Sequence, residues 1–207
     1  MTFLRINSTV AAIAFLLVGL VGCTVQETTP ALLADAGINQ ELVKEVAAIS
    51  ERQVQKIAFT QMLTAQEKTF LFRKRITEKL QVLSLTTEQK EHLTLLLTNM
   101  TPEMYDFNSA AGRKAIVSLS AWTDRARTVF DKETLYDIVG SLSPKAGGGG
   151  GSSTNKMAEP PSVNCGCATS SSYCGDGYDC NYIPSCNARG CGTLFVYTCN
   201  GVCDRSL

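Results

Sequence analysis

The stretch NCGCATSSSYCGDGYDCNYIPSCNARGCGTLFVYTCNGVCDRSL, residues 164–207, decides how the end of this chain folds. It contains eight of the nine cysteines but few bulky aliphatic side chains, so hydrophobic burial alone cannot stabilise it. An even, dense set of cysteines in a small exported region is typical of a disulfide framework. We therefore predict a module with little regular structure, stapled by disulfides among Cys165, Cys167, Cys174, Cys180, Cys186, Cys191, Cys199 and Cys203.

The pairing of these cysteines stays open, because eight cysteines allow on the order of a hundred connectivities. The run TLFVYT, residues 193–198, is β-branched and aromatic, and it predicts one strand of a small β-hairpin. A metal site is the alternative interpretation, since Cys165 and Cys167 could chelate a soft ion. Zinc ribbons, however, have paired two-residue spacings, whereas the intervals here are one, six, five, five, four, seven and three residues. We expect no metal and no cofactor.

The N-terminus carries an export signal. Arg5 precedes an apolar run from Val10 to Leu20, which is too short to span a bilayer. The run ends in Leu20, Val21, Gly22 and Cys23, an order that resembles the lipobox of bacterial lipoproteins. The resemblance implies that residues 1–22 are removed and that Cys23 becomes a lipidated N-terminus attached to the membrane. An ordinary secretory signal with an incidental cysteine is the alternative. Export also places the other eight cysteines in an oxidising compartment.

The composition divides the rest of the chain into four parts. Residues 23–38 form a short tether, and residues 39–143 have helical periodicity and no cysteine. Residues 144–163 are rich in Gly, Ser and Pro and predict a flexible linker before the stapled module of residues 164–207. The fold class is therefore an all-α bundle of five to six helices, followed by a linker and a small disulfide-rich module.

Capping signals divide the helical region. One apolar stripe predicts a helix over residues 40–62, and the capping-box spacings Thr64 with Glu67 and Thr86 with Gln89 begin the next two. Thr101 followed by Pro102 predicts a short fourth helix. A fifth helix carries Trp122, expected in the core, and Asp131 caps the last.

Nothing in the sequence indicates catalysis or nucleic-acid binding. The formal net charge is zero, so the chain lacks the basic excess of a nucleic-acid-binding protein. The only histidine, His92, lies in a polar segment without a recognisable catalytic partner. We expect no enzymatic activity.

The cysteine-rich end resembles the family of bacteriocin fulvocin C-related proteins. The similarity rests on Asn-Cys-x-Cys from residue 164, Tyr-Ile-Pro-x-x-Cys from residue 182, and Cys-Gly-Thr-x-Phe-Val-Tyr from residue 191, which leads into Cys-Asn-Gly. The helical stretches LTAQEKTFLFRKRITEKLQ and LTTEQKEHLTLLLTNMTPEMYD are similar to the N-terminal region of longer members. One departure is that Cys199 and Cys203 are further apart than the final cysteine pair of the small bacteriocin in that family, and Phe195 stands near the position of a Trp.

The resemblance implies an antibacterial peptide carried on a precursor and cleaved near Ser162 or Val163. From residue 164 onward the net charge is about minus one, which argues against membrane disruption by charge alone. The candidate target contacts are therefore four aromatic residues expected to be exposed, Tyr178, Tyr182, Phe195 and Tyr197, facing a component of the target-cell surface. The alternative is a surface lipoprotein whose stapled tip binds a protein or glycan without killing. Both hypotheses place the chain in a bacterial envelope.

Overall fold

The computed structural model describes residues 37–142, 165–174 and 177–205, and it has a helical region followed by a disulfide-rich region. The predicted signal peptide, Cys23, nearly all of the tether and the predicted linker lie outside the described residues. The helices are α1 (Gln40–Ala48), α2 (Arg52–Met62), α3 (Ala65–Val82), α4 (Thr87–Asn99), α5 (Ala110–Val129) and α6 (Lys132–Leu135). Among the described residues, no helix is both long and apolar enough to cross a membrane.

The helices bury one apolar core. Its fully buried side chains include Phe59 of α2, Phe72 and Ile76 of α3, Leu93 of α4 and Ile138 after α6. Trp122 is in this core, as predicted, and is 7% exposed. The all-α part of the expected fold is therefore present.

Two capping boxes form as the sequence predicts. The Thr64 hydroxyl accepts from the amide of Glu67, whose carboxylate accepts from the amide of Thr64. Thr86 and Gln89 repeat the arrangement at the start of α4. The Glu67 carboxylate also accepts from the amide of Asn39 at 3.1 Å, so this cap ties the start of α1 to α3. Burial raises the pKa of Glu67, but its hydrogen bonds and the charge of Lys68 together outweigh burial, so the pKa is lowered and the carboxylate is ionised at neutral pH.

The predicted single helix over residues 40–62 is wrong, because the chain turns between α1 and α2. Glu51 caps α2 by accepting from the amides of Gln53 and Val54. The buried amide of Gln55 donates to the carbonyls of Val46, Ala47 and Ile49 at the end of α1. Residues 49–51 therefore break the stripe without a proline or glycine, which is why its periodicity alone does not reveal the turn.

The connections between α4, α5 and α6 are tight. Pro102–Tyr105 form a 3-10 turn where a short helix was predicted. Gly112 in α5 packs directly against this turn, since a Cβ there would lie 1.8 Å from the Asp106 carbonyl oxygen. Asp131 caps α6 by accepting from the Thr134 amide, and α6 continues as a π-helical turn over Tyr136–Gly140.

The disulfide-rich region contains two antiparallel pairs of strands. Strand β1 (Tyr178–Tyr182) pairs with β4 (Gly201–Arg205), and β2 (Ala188–Cys191) pairs with β3 (Tyr197–Cys199). The predicted hairpin is therefore present as β2 and β3, and a second sheet accompanies it. The predicted strand over residues 193–198 is mostly wrong, because Thr193–Phe195 form a 3-10 turn and the strand begins only at Tyr197.

All eight cysteines of this region form disulfides, as predicted. The pairs are Cys165–Cys186, Cys167–Cys180, Cys174–Cys203 and Cys191–Cys199. None of these disulfides joins the region to the helices.

We predict that Thr64→Ala destabilises the oxidised chain by about 0.5–2 kcal/mol, because it removes the acceptor of the α3 cap. The matched control is Thr94→Ala in the middle of α4, where the exposed hydroxyl bonds only the Lys90 carbonyl and alanine favours the helix. Urea unfolding followed by circular dichroism measures both. Equal stability of the two variants would contradict the role of the cap.

Candidate functional site

The contact between the disulfide-rich region and the helices is the feature of most functional interest among the described residues. Residues Thr193–Tyr197, here called the apolar loop, are all less than 9% exposed, and Leu194 is fully buried. The loop enters a cleft of the helical region that we define by Phe59, Phe72 and Tyr105. The Phe195 ring meets the Phe59 and Phe72 rings edge to face, with centroids 5.3 and 5.5 Å apart. The two regions therefore share one continuous core.

Hydrogen bonds fix the position of the apolar loop in the cleft. The Tyr105 hydroxyl donates to the Leu194 carbonyl at 3.1 Å, and burial raises the pKa of Tyr105 well above its usual range. The hydroxyls of Thr123 in α5 and Thr193 share a hydrogen bond of 3.0 Å. Thr193 also bonds the hydroxyls of Ser171 and Tyr173 within the disulfide-rich region. Each buried hydroxyl in this network has a partner, which makes the fit specific as well as apolar.

Lys56 of α2 is a buried lysine at the same contact. Its side chain is 4% exposed, and its amine donates to the Gly166 carbonyl and to Cys191 Sγ, each at 3.2 Å. Burial, and secondarily the charge of Arg52, lowers the pKa of Lys56 to about 8. No ion pair joins Lys56 to a carboxylate within the part of the chain that the structure describes. The amine is thus charged at neutral pH and is held by neutral acceptors.

The edge of the contact is formed by β2. Gly190 has φ +96°, and a Cβ there would lie 2.8 Å from the Thr60 hydroxyl oxygen, so only glycine allows the strand to approach α2 this closely. The Arg189 guanidinium stacks on the Phe107 ring at 3.9 Å from its centroid.

The four candidate target-contact residues fall into two pairs. Tyr178 and Tyr182 are 40% and 62% exposed, and they share one face of β1. Phe195 and Tyr197 are not exposed, so that expectation is wrong, because the apolar loop turns both side chains toward the helices. Tyr178 also lines an open cleft of about 320 Å³ between the two regions, together with Arg127 and Tyr173.

Three cysteine sulfurs of the disulfide-rich region lie within 4.8 Å of one another, those of Cys167, Cys174 and Cys180. Each of them belongs to a disulfide. Because a thiolate, not a disulfide sulfur, is the metal ligand, this oxidised cluster is not a metal-binding arrangement.

His92 has a structural role in the helical region. Its ring stacks on Trp122 at 4.7 Å, and its Nε2 lies 3.2 Å from the Trp122 carbonyl oxygen. The Trp122 indole N–H donates in turn to the His92 carbonyl at 3.0 Å. Burial lowers the pKa of His92, which favours the neutral ring. This reciprocal pair joins α4 to α5 beside an apolar pocket of about 240 Å³.

Sequence reasoning missed the helical half of the contact. The glycine-rich stretch predicted independent parts, and Lys56, Tyr105 and Thr123 have no motif that distinguishes them from other helical residues. The one usable signal was the run TLFVYT. A module stabilised by four disulfides does not need such an apolar run for its own stability, so the run indicates a contact with another part of the chain.

Comparison of the chain with models of known protein families, with curated proteins and with solved structures finds no match.

We predict that wild-type stability rises relative to Lys56→Met as the pH increases from about 8 to about 10. The pKa of Lys56 is about 8 when folded and 10.5 when free, so in this range the unfolded state binds more protons. The expected slope approaches about 1.4 kcal/mol per pH unit. Urea unfolding at several pH values, with free thiols blocked, measures it. Lys44→Met, at an exposed lysine, is the control substitution. A pH-independent difference between wild type and Lys56→Met would contradict the burial of the amine.

We also predict that Phe195→Ala destabilises the oxidised chain by about 3–5 kcal/mol, because it leaves a cavity beside the Phe59 and Phe72 rings. Tyr182→Ala is the matched control and should change stability by less than about 0.5 kcal/mol, since its ring is exposed. Equal unfolding midpoints for the two variants would show that the apolar loop is not docked.

Proposed function

We propose that this chain is an exported, lipid-anchored precursor of a disulfide-rich, bacteriocin-like peptide that comprises residues 164–207 and is not an enzyme. One observation supports this above the others. All four disulfides close within residues 165–203, and none reaches the helices. A single cut before Cys165 would therefore yield a covalently self-contained, fully stapled peptide.

The disulfides suit a peptide that acts outside the cell. The closed loops join residues between 8 and 29 positions apart. Each loop stabilises the folded peptide by about 2–4 kcal/mol, mainly by restricting the unfolded chain. Such cross-links let a small domain with a minimal core persist in an oxidising medium. The resemblance to the fulvocin C-related family supplies the antibacterial role in this proposal.

Membrane attachment in this proposal depends on Cys23. A diacylglyceryl group on this thiol would hold the precursor on the envelope without a membrane-spanning helix. The peptide would then leave the anchored helical part by cleavage near Ser162 or Val163.

Killing in this proposal depends on recognition of a target component, not on charge. The peptide has about one net negative charge, so it gains nothing from an anionic surface. Tyr178 and Tyr182, which share an exposed face of β1, are suited to bind such a component or to insert at an interface.

A non-killing surface lipoprotein is the second candidate function. It is favoured by the shared core, because an intact chain uses the apolar loop as part of its own stability. In that case the disulfide-rich region would be a permanent tip that binds a protein or glycan.

Intact mass spectrometry of the native protein distinguishes the two functions. Membrane and medium are separated, and the intact mass of the protein in each fraction is measured before and after reduction. We expect an acylated membrane form and a free fragment that begins near Val163 and gains the mass of about eight hydrogens on reduction. That fragment should then inhibit the growth of a related bacterium. Finding only the full-length acylated chain with four disulfides would contradict the precursor and favour the tethered binder.

A further inference from the structure

We propose that the helical region is a specific binding partner of the disulfide-rich region and stays bound to it after the chain between them is cut. Bound in this way, the helices cover the apolar loop, which we infer to be a second surface that the freed peptide needs for its action, besides the exposed β1 face of Tyr178 and Tyr182. This second part rests on the proposed function, whereas the first part does not.

The apolar loop is buried, and its Phe195 ring faces the helices. Leu194, Phe195 and Val196 are at most 4% exposed in the intact chain, and both aromatic ring contacts of Phe195 are to helical residues. A freed peptide would leave the Phe195 ring without the Phe59 and Phe72 rings. An exposed aromatic ring in an apolar loop of a small stapled peptide is suited to bind a protein or a membrane.

The polar contacts make the binding selective. The Tyr105 hydroxyl donates to the Leu194 carbonyl, and the Lys56 amine donates to the Gly166 carbonyl and to Cys191 Sγ, all on the disulfide-rich region. A different peptide in the cleft would leave these two buried donors without partners, and that loss disfavours wrong occupants. The cleft is therefore fitted to this loop and not to apolar peptides in general.

The backbone conformation of the apolar loop also supports its binding to the helices. Leu194 and Phe195 have φ values of 54° and 56°, a left-handed backbone conformation that residues other than glycine seldom adopt. Two successive residues in this conformation persist only where the surroundings hold them. The cleft supplies part of those surroundings through Tyr105 and the rings that contact Phe195, and the Cys191–Cys199 disulfide and the hydrogen bonds of Thr193 supply the rest. Release from the helices therefore removes part of what holds the loop in this conformation.

The test uses the full chain with Cys23→Ser, which removes the lipidation site, and with a specific protease site placed in the glycine run at residues 147–151. After cutting, size-exclusion chromatography with intact mass spectrometry shows whether the two fragments remain together. We expect them to co-elute at micromolar concentration while the four disulfides stay intact. Fragments that separate at micromolar concentration would overturn the binding claim.

A steric variant identifies the surface that holds the fragments. Thr60→Trp fills the space between Thr60 and Gly190. This space is already tight, because a Cβ added at Gly190 would lie 2.8 Å from the Thr60 hydroxyl oxygen. We expect it to weaken the cut complex roughly 10- to 100-fold. Gln61→Trp is the matched control on the next, exposed residue of α2 and should leave the complex unchanged. The helical circular dichroism signal of both variants should match that of the wild type. Equal co-elution of the two cut variants would overturn the assigned surface.

Growth inhibition separates this inference from the proposed function. The peptide released from cut Thr60→Trp and the cut wild-type complex are applied to one panel of Gram-negative and Gram-positive bacteria. We expect inhibition by the released peptide and at least tenfold less by the complex. Equal inhibition would overturn the covering of the active surface. Inhibition by neither sample, with co-elution intact, would overturn the antibacterial function and still support the binding claim.

Discussion

The packing of Phe195 against the Phe59 and Phe72 rings is the contact on which the rest of the structure depends. It joins a bundle without cysteines to a region that has little core of its own, and the two parts complete each other. The helices contribute an aromatic cleft that would otherwise face water. The disulfide-rich region contributes the side chain that fills it.

Covalent cross-links and non-covalent contacts act at different places in the molecule. Disulfides hold residues 165–203 to themselves, and hydrophobic packing with a few buried hydrogen bonds holds them to the helices. The first kind of link survives a cut in the backbone, and the second is reversible. Once the backbone between them is cut, the two parts can stay together or separate without any disulfide being broken. Lys56 adds a charge to the reversible part, at a place where most of the contact is apolar.

Local signals predicted local structure well. The capping boxes at Thr64 and Thr86 and the cap at Asp131 form as their spacings indicate, because such caps need only residues three positions apart. The turn between α1 and α2 was missed because Gln55 stabilises it through side-chain bonds that no spacing reveals. The strand predicted over TLFVYT was mostly wrong for a related reason. Packing against the helices bends Leu194 and Phe195 away from the extended backbone that their composition favours.

The long separation between the partners in this contact sets the order in which the molecule is completed. Lys56 and Cys191 are 135 residues apart. At about 5–20 residues per second, roughly 7–27 s of synthesis separate them. For most of that interval Phe59 and Phe72 have been made but Phe195 has not, so the two rings lack the side chain that covers them. The later-made part of the chain is thus the one that covers the aggregation-prone rings of the earlier part.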